Sequence, residues 1–385
     1  MPFVPHSAPD QRLHQIALAR QAVLHDGKST GYAGAQGWLE RSWQRALSSG
    51  NKPNQPVSFD VIATNAMRRV VEANHTLVRT ARPVLESLSR AIASTRYFAV
   101  LTDAQGVVID AHGAIDRSDR RADLITRIGT DLSERALATT AISAALTELQ
   151  PVWLHRGEHF FDANSVYSCA GAPLFGTDGT CIGMLDLTGI DAAERPELKH
   201  LVAQSARSIE NALTLSHLKS AHDLLIRLNW PGRALGDETD GLVCLNADGY
   251  VTAANQMARM MVPQLTVGNV PQPLHASDLF AMSFEMLFDA ARQPRQMDAL
   301  EIPLWTGLRL HAMPMRMQMR MGQSAPVAIR PTVEAHAPPP LKDIETALIR
   351  KAVDDARGNV MQAAKALGIS RATVYRRLGT GIKKR

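Results

Sequence analysis

Cationic side chains recur at close spacing near the end of the chain, where they could bind a polyanion. Residues 341–385 hold eleven Lys and Arg side chains against four Asp and Glu side chains, so this segment carries +7 while the whole 385-residue chain carries +5. Within it, SRATVYRRL places Arg371, Arg376 and Arg377 outward if Val374 packs inward on a helix. An exposed cationic helix of this kind can contact the phosphates and base edges of DNA.

Three short helices are expected to position these side chains. The first is LKDIETALIRKAVDDARG, which has apolar residues at helical spacing and a C-terminal glycine. Asn359 is the expected N-cap of the second helix, VMQAAKAL, whose Ala363 and Ala364 let a neighbouring helix approach closely. Gly368 supplies a tight turn, and Ser370 caps the third helix. This pattern predicts a helix-turn-helix.

The third helix of a helix-turn-helix enters the major groove with its N-terminal residues against base edges. We therefore expect Arg371, Ala372 and Thr373 to read bases, each good pair contributing roughly 1 to 3 kcal/mol of discrimination. The residues around them are expected to hold phosphates. The full predicted DNA-binding set is Lys365, Ser370, Arg371, Ala372, Thr373, Tyr375, Arg376 and Arg377. The alternative is that this end of the chain is only solvated or docks on a partner protein. That alternative explains either helix taken alone, but it explains the combined pattern less well than DNA binding does.

The pattern N-x3-A-A-x2-L-G-I-S-R-x-T-V-Y-R-R resembles the Fis-type helix-turn-helix at the C-terminus of bacterial enhancer-binding activators. This resemblance implies a homodimer that pairs through its early helices and reads the two halves of an inverted-repeat operator. Gly379 and Gly381 depart from the family pattern because they follow Leu378 closely, which would shorten the recognition helix.

Strands flanked by helices are expected in the middle of the chain. FAVLTDAQGVVIDAHG predicts two strands joined by a turn at residues 103–106, and CIGMLDLTG predicts another strand. Together with RIGTDLSERAL and SCAGAPLFGTDGT, these segments resemble the GAF sensor domain of AcoR-like regulators, and LERSWQRALSSG resembles the N-terminal segment that precedes it. The resemblance covers about residues 35–215. Those regulators usually have Gly-Thr-Asn-Ala-Ile where this chain has Ala-Thr-Thr-Ala-Ile at residues 138–142, so the ligand identity is not carried over.

The GAF resemblance implies a small pocket on one face of the sheet as the site of a small-molecule effector. The expected lining residues are Trp153, His159, Phe160, Cys169 and Leu185. The alternative is that each of them is an ordinary core residue.

A metal site is a weaker interpretation of the same region. His155 and His159 flank Glu158, but on a strand followed by a turn these side chains share no helical face. The three cysteines are widely spaced and form no CxxC pair, which disfavours a disulfide framework or a cysteine zinc site. We predict neither a metal nor a cofactor.

The next segment, DGLVCLNADGYVTAANQMARMM, resembles the opening of a PAS domain, in which two strands around an Asp-Gly turn lead into a helix bearing Asn255. Before it, the apolar periodicity from Glu194 to Leu228 predicts one long amphipathic helix. The methionines between Met257 and Met321 fit either gap-filling core residues or an adaptable surface.

The predicted fold class is α+β and multidomain, with a GAF-type α/β sensor, a PAS-like α/β module and an all-α helix-turn-helix tail. The expected boundaries are residues 1–94 for a helical N-terminal segment, 95–215 for the GAF-like sensor, 216–322 for the PAS-like domain, 323–340 for a Pro/Ala-rich linker and 341–385 for the DNA-binding domain.

Enhancer-binding activators usually hold an AAA+ ATPase between sensor and tail, and no Walker A motif occupies that interval here. The nearest approach, AVLHDGKS at residues 22–29, lacks the first glycine and a preceding strand. We therefore predict a dimeric transcriptional regulator that acts without ATP hydrolysis, by repression, by recruiting RNA polymerase or by competing with a full-length relative. The rival hypothesis is a GAF/PAS adaptor that works through protein contacts and binds DNA only nonspecifically.

Two further classes are disfavoured by the sequence. No nucleophile elbow or phosphate-cradling loop nominates an enzyme. The N-terminus, MPFVPHSAPDQRLHQ, has no basic region followed by an apolar core, and no apolar run approaches membrane-spanning length. We expect a cytoplasmic protein with no membrane partner.

Overall fold

Two five-stranded antiparallel sheets organise the larger of the two units, Met1–Met319 and Arg320–Arg385, into which the chain divides. The structure, a computed structural model, describes residues 8–31, 37–218, 222–266, 273–292, 299–316, 353, 356, 359–366, 369, 371, 373 and 374. Among these residues, no helix is both long enough and apolar enough to span a bilayer.

Three helices precede the first sheet, as the sequence predicted. Helix α1 (Ala8–Arg20) continues into a π-helical turn (Gln21–His25), and α2 (Trp38–Ser48) and α3 (Thr64–Ala91) follow. In α2, the apolar residues recur every three to four positions and are buried, so the helix lies with one face on the core.

The first sheet has the strand order β2-β1-β5-β4-β3. Its strands are β1 (Tyr97–Asp103), β2 (Val108–Gly113), β3 (Val152–His155), β4 (Tyr167–Phe175) and β5 (Cys181–Ile190). Helices α4 (Arg120–Ile125), α5 (Glu134–Leu137) and α6 (Ala141–Glu148) lie between β2 and β3, and α7 (Leu198–Leu215) follows β5. The predicted turn between β1 and β2 is confirmed.

Strand alternation gives this sheet two separate core layers. On one face, Leu185 and Leu187 belong to an apolar cluster with α3 and α7. On the other face, Met184 and Leu154 belong to a cluster with α2, α4, α5 and α6. The sheet is therefore covered on both sides, and any internal cavity lies in one layer or the other.

The second sheet has the strand order β8-β7-β6-β10-β9. Its strands are β6 (Leu224–Asn229), β7 (Gly241–Leu245), β8 (Val251–Ala254), β9 (Leu300–Pro303) and β10 (Arg309–Arg316). Between β8 and β9 lie α8 (Gln256–Met261), α9 (Ala276–Leu279) and α10 (Phe284–Ala290). In the first sheet the central strand is β5, the last in chain order, whereas in the second sheet it is β6, the first in chain order.

The expected strand-turn-strand-helix unit around Asn255 is confirmed. The Asn255 side chain caps α8 by accepting from the Ala258 N–H at 2.8 Å, and its Oδ1 also accepts from the Leu242 N–H at 2.8 Å. At Gly241 a Cβ would lie 2.9 Å from the Ala258 Cα, so only glycine allows α8 to pack this closely on β7. One asparagine therefore joins the helix to the strand that it covers.

The prediction of one helix from Glu194 to Leu228 is wrong. Helix α7 ends at Leu215, and the apolar run LLIRLN forms β6 instead. Because β6 lies in the centre of a sheet, five of its six residues are buried, and such a continuous apolar run has no strand periodicity to distinguish it from a helix.

The smaller unit contains the predicted capped helix. The Asn359 Oδ1 accepts from the Met361 and Gln362 N–H groups, at 3.2 Å each, and α11 (Val360–Ala366) begins there. Val353, Val360, Ala364 and Val374 form a small apolar cluster, with Ala356 and Ile369 packed against it. The N-cap and the inward position of Ala364 are thus as predicted.

Candidate functional site

The tail brings one predicted base-reading residue to the surface. Arg371 is helical and exposed, Thr373 is half-buried, and Val374 is fully buried in the apolar cluster. Lys365 lies within α11, but its side chain is outside the described residues. Ser370, Ala372, Tyr375, Arg376 and Arg377 also lie outside the described residues. The described positions have the predicted inward and outward pattern.

A cavity of about 40 Å³ lies in the first sheet's α2 and α4–α6 layer. Its walls are almost entirely carbon, with a few polar groups. The lining residues come from the loop before α3, from β1, β4 and β5, from helices α4 to α6 and from the β3–β4 connection: Phe59, Val100, Ile125, Leu132, Leu137, Thr140, Ala141, Ile142, His159, Asn164, Tyr167, Cys169, Asp186 and Thr188.

Only part of the predicted lining lies at this cavity. His159 and Cys169 line it, whereas Phe160 is buried in the surrounding apolar cluster without lining it. Trp153 and Leu185 pack in the opposite layer, with α3 and α7, and so do not line this cavity. The reason is strand parity, since adjacent residues on a strand face opposite sides of the sheet.

Asp186 is a cavity residue that the sequence reasoning missed. Its side chain is fully buried on β5, with Thr188 two positions along on the same face. The Thr188 hydroxyl donates to Asp186 Oδ2, and Cys169 Sγ lies 3.5 Å from Thr188 Oγ1. Because Thr188 gives its one proton to the carboxylate, Cys169 is the donor to Thr188. An acid inside the apolar strand MLDLTGI was the available signal.

The titratable groups of the cavity differ in charge near neutral pH. Burial raises the pKa of Asp186 to about 7, while the hydrogen bond from Thr188 opposes this shift. Burial lowers the pKa of His159 to about 4, and raises the pKa of Cys169 and Tyr167 above their usual values. Among these four lining groups, Asp186 is therefore the one that titrates around pH 7.

His159 has a defined tautomer in this environment. Its Nδ1 lies 2.9 Å from the carbonyl oxygen of Arg156, which can only accept, so Nδ1 carries the proton. The neutral ring then presents Nε2 as an acceptor. His159 thus adds no positive charge to the cavity at neutral pH.

The N-terminal helices hold the loop that carries His159 and Asn164. Arg20 donates to the carbonyls of Gly157 at 2.8 Å, His159 at 2.5 Å and Phe160 at 3.0 Å, and pairs with Asp162 at 2.5 Å. The indole of Trp43 donates to the Glu158 carbonyl at 3.0 Å. The segment before the sheet is thus part of the cavity's frame.

The side chains considered for a metal site, His155, Glu158 and His159, form hydrogen bonds within the protein. The Glu158 carboxylate accepts from the His155 N–H at 2.6 Å and from Arg12 at 3.2 Å. His155 Nδ1 lies 2.8 Å from the Ser168 hydroxyl, and its ring stacks on Trp153, which packs in the layer opposite the cavity. Within the described ranges no three His, Cys, Asp or Glu side chains are grouped to hold an ion.

Direct contacts join the first sheet to the second. The Thr177 carbonyl, in the β4–β5 turn, accepts from the Ala254 N–H at 3.2 Å and from Arg259 at 2.5 Å. The Asn255 side chain donates to the Asn211 side chain of α7 at 2.7 Å. The β4–β5 turn and α7 are therefore hydrogen-bonded directly to the start of α8 in the second sheet's domain.

Two family models match the chain. One, described as the MimR N-terminal domain, matches residues 15–211, which include α2, α3 and the whole first sheet. The other, described as a bacterial regulatory protein of the Fis family, matches residues 340–379. The first match is consistent with the frame of contacts between the N-terminal helices and the sheet.

The chain is also similar to named regulators. It is 28% identical over 258 residues to the acetoin catabolism regulatory protein of Cupriavidus necator, covering 66% of this chain and 37% of that protein. It is 24% identical over 227 residues to the acetoin dehydrogenase operon activator AcoR of Bacillus subtilis, covering 58% and 36%. It is 28% identical over 198 residues to the propane 2-monooxygenase operon activator MimR of Mycolicibacterium smegmatis, covering 51% and 32%.

The matches cover about a third of the length of each of these relatives. Among solved structures, the crystal structure of the E. coli DhaR(N)-DhaL complex is similar at a TM-score of 0.44 and 15% identity, covering 73% of this chain and 100% of that chain. A GAF domain of CodY from Clostridium difficile is similar at a TM-score of 0.24 and 12% identity, covering 39% and 97%.

Proposed function

This chain belongs to the MimR N-terminal-domain family, and from that premise we propose that it is a sequence-specific, dimeric DNA-binding regulator whose sensor domain binds a small molecule. Its relatives are transcriptional regulators rather than enzymes, and its tail matches the Fis family. The observation that carries the DNA-binding part is the tail's geometry, in which Asn359 caps α11 and Arg371 is exposed while Val374 is buried.

In this proposal the third helix of the tail reads bases through Arg371, Ala372 and Thr373, with Ser370 at its N-terminus. Lys365, Tyr375, Arg376 and Arg377 hold phosphates, and two copies of the chain bind the halves of an inverted repeat. The net charge of +7 on residues 341–385 supports binding to a polyanion, and the Fis-family match supports the helix-turn-helix geometry.

The cavity is the proposed effector site. It is mostly apolar and has a few polar residues in its lining, which is the usual form of a small-molecule site. The relatives' names refer to acetoin catabolism and to a propane 2-monooxygenase operon, and this supports a small organic metabolite as the signal. An effector can change DNA binding only if the two states of the dimer bind it with different affinity.

We also propose that regulation by this chain needs no ATP hydrolysis. The interval between β10 and the Fis-family match, residues 317–339, has no Walker A sequence. Repression, recruitment of RNA polymerase and competition with a longer relative are the three modes open to such a regulator. The test is transcription in vitro from the selected operator, with a non-hydrolysable ATP analogue in the DNA-opening step. Regulation that persists with the analogue fits this proposal, and regulation that is lost fits an ATP-dependent mechanism.

The first experiment is selection of binding sites from random duplexes by the full chain, compared with two variants of equal charge. Arg371→Ala should weaken binding to the selected site about 5- to 100-fold and relax the preference at one position in each half-site. Lys383→Ala, the matched control, should weaken binding to all sequences alike and reduce the salt dependence. If Arg371→Ala also weakens binding to all sequences alike, the tail binds DNA without reading its sequence.

A further inference from the structure

One residue of the cavity wall reaches the protein surface. Thirteen of the fourteen residues that line the cavity are buried, and the remaining one, Phe59, is half-buried. Its ring packs edge to face against Tyr167, another lining residue, with the ring centroids 6.5 Å apart. Among the lining residues, Phe59 is thus the one that joins the cavity to the solvent-exposed surface.

A second recess, of about 340 Å³, lies on the outer side of the same wall and is called the outer recess below. Ser58 and Asp60 line the outer recess, while Phe59 between them lines the cavity. The same holds for two more pairs of chain neighbours, in which the first residue lines the recess and the second lines the cavity: Asp131 and Leu132, and Ala136 and Leu137. A wall one residue thick therefore separates the outer recess from the cavity.

The segment that carries Phe59 is fixed at its two ends. Before it, the Pro53 carbonyl accepts from the Asp162 N–H at 2.8 Å, and after it, the Asp60 carbonyl accepts from the Asp131 N–H at 3.0 Å. Within the described part of the chain, no backbone group of residues 56–59 takes part in a hydrogen bond, and these residues lie in no helix or strand. Because backbone without such bonds opens locally at low free-energy cost, this span can move outward while both anchors hold.

The rest of the cavity wall is held more firmly. Most of its residues lie in β1, β4, β5 and the helices α4 to α6, where moving the backbone would break strand or helix hydrogen bonds. Outside these elements, the Leu132 N–H donates to the Gly106 carbonyl at 3.0 Å, and Arg20 holds the carbonyl of His159. The span around Phe59 is therefore the part of the wall that opens at the lowest cost.

Resting on the proposed effector site, we propose that residues 54–59 form a gate through which a small, mostly apolar ligand passes from the outer recess into the cavity, and that the Phe59 side chain closes it. Val57 and Phe59 hold the gate closed by packing, partly buried, against the apolar cluster around the cavity. A cavity of about 40 Å³ has room for only a few non-hydrogen atoms, so displacement of one ring is enough for entry.

The test uses the chain's own cysteines as reporters, in a Cys181→Ser background. Cys169 lines the cavity, whereas Cys244 is fully buried in the second sheet and is the internal control. The reagent is methyl methanethiosulfonate, which is small and neutral. At pH 8.5 a cysteine thiolate attacks its divalent sulfur, forms a methyl disulfide and releases methanesulfinate. Timed quenching and peptide mass spectrometry give the rate at each cysteine.

Phe59→Ala should raise the rate at Cys169 at least about tenfold, because the shorter side chain neither fills the wall nor holds the gate closed, and should leave Cys244 within about twofold. Phe59→Leu restores most of the apolar bulk and should keep Cys169 within about threefold of the parent chain. Ile115→Ala is the matched control, since Ile115 is also partly buried against the same cluster but does not line the cavity. It should leave the Cys169 rate unchanged.

A second measurement does not depend on thiol chemistry, which is slow at Cys169 because burial raises its pKa. Xenon is added to the full chain with isoleucine methyl groups labelled for NMR, and its exchange is followed at Ile125 and Ile142 in the cavity. Ile226, in the core of the second sheet, is the internal control. Phe59→Ala should speed xenon exchange at the cavity reporters at least about tenfold.

Three results would overturn the gate. The first is an unchanged rate of xenon exchange in Phe59→Ala. The second is equal acceleration of Cys169 in Ile115→Ala, which would indicate general loosening of the layer. The third is a parallel rise at Cys244, which would indicate global unfolding. None of these measurements uses an effector, so loss of the gate would leave the effector site to be judged separately, by the response of DNA binding to metabolites.

Discussion

Arg259 donates a hydrogen bond from its guanidinium to the carbonyl of Thr177 at 2.5 Å, 82 positions earlier in the chain. The contact is tight, since a Cβ at Gly179 would lie 2.8 Å from Arg259 Nε. Arg259 is only 8% exposed. Because Thr177 lies in the turn between β4 and β5, this bond ties α8 of the second sheet to the two strands that carry Cys169 and Asp186.

Arg259→Met should loosen that tie. The variant keeps an apolar stem but leaves the Thr177 and Leu265 carbonyls without their charged donor, which costs about 1 to 3 kcal/mol of unfolding free energy. Hydrogen exchange should also accelerate at residues 177–180. Urea unfolding and exchange mass spectrometry measure the two effects. Arg292→Met, at a side chain 61% exposed, is the control and should stay within about 0.5 kcal/mol of wild type.

Arg20→Met should destabilise the wall of the cavity that carries His159 and Asn164. One guanidinium serves three carbonyls and a carboxylate there, so its loss leaves several buried acceptors unpaired at once. We expect a loss of about 2 to 4 kcal/mol in urea unfolding. Arg68→Met, at an exposed position on α3, is the matched control. Equal unfolding midpoints for the two variants would contradict this role for Arg20.

Asp186→Asn should change how stability depends on pH. The folded pKa of about 7 exceeds the usual value of 3.8, so between pH 4 and 7 the folded protein holds a proton that the unfolded chain has lost. Asp186 therefore makes the wild type less stable as pH rises through this window, and the effect levels off above pH 7.

The free energy of unfolding of wild type minus that of Asp186→Asn should accordingly fall between pH 4 and 7, by an amount on the order of a few kcal/mol. Urea unfolding at pH 4.5, 6 and 8 measures it. Burial lowers the pKa of His155 and of His159 to about 4, so these two groups make the fold more stable as pH rises from 4 to 6.5. Wild type and Asp186→Asn both contain them, and their contribution therefore cancels in the difference. A difference that is flat in pH would show that Asp186 stays ionised.

Asn359→Ala should weaken DNA binding without changing its sequence preference. The substitution removes the cap from α11 and costs the helix about 1 kcal/mol, which lowers the population of the folded tail. Affinity should fall by a similar factor for the selected site and for a mismatched duplex in fluorescence anisotropy. Gln362→Ala, at an exposed position in the same helix, is the control. A variant that altered the preference would place Asn359 at the bases instead.

The features predicted correctly from the sequence depend on near neighbours in the chain. Asn359 and Asn255 cap helices through N–H groups two or three residues away, so each motif is readable from a short window. The turn between β1 and β2 is equally local. Such interactions involve few other parts of the fold, and the sequence therefore indicates them directly.

The errors arose where distant segments decide the structure. Trp153 and Leu185 belong to strands that were identified, yet which face of those strands meets α3 and α7 is set by helices far away in sequence. The sequence predicts a helix for residues 224–228 because a central strand has no polar face that would distinguish it from a helix. Asp186 was missed because its burial follows from the central place of β5 in the sheet and from the helices that cover that face, none of which is readable from its own neighbours in sequence.

The different strands at the centre of the two sheets have a consequence for synthesis on the ribosome. In the second sheet, β6, β7 and β8 are consecutive neighbours, so a three-stranded meander can form once residue 254 has emerged. In the first sheet, β1 pairs with β5, and the sheet cannot close until residue 190 has been made. The second sheet likewise closes only when β10 pairs with β6, about 80 to 90 positions downstream. Because residue 190 is made before residue 254, we expect the two sheets to fold in chain order during synthesis, each limited by one long-range strand pair.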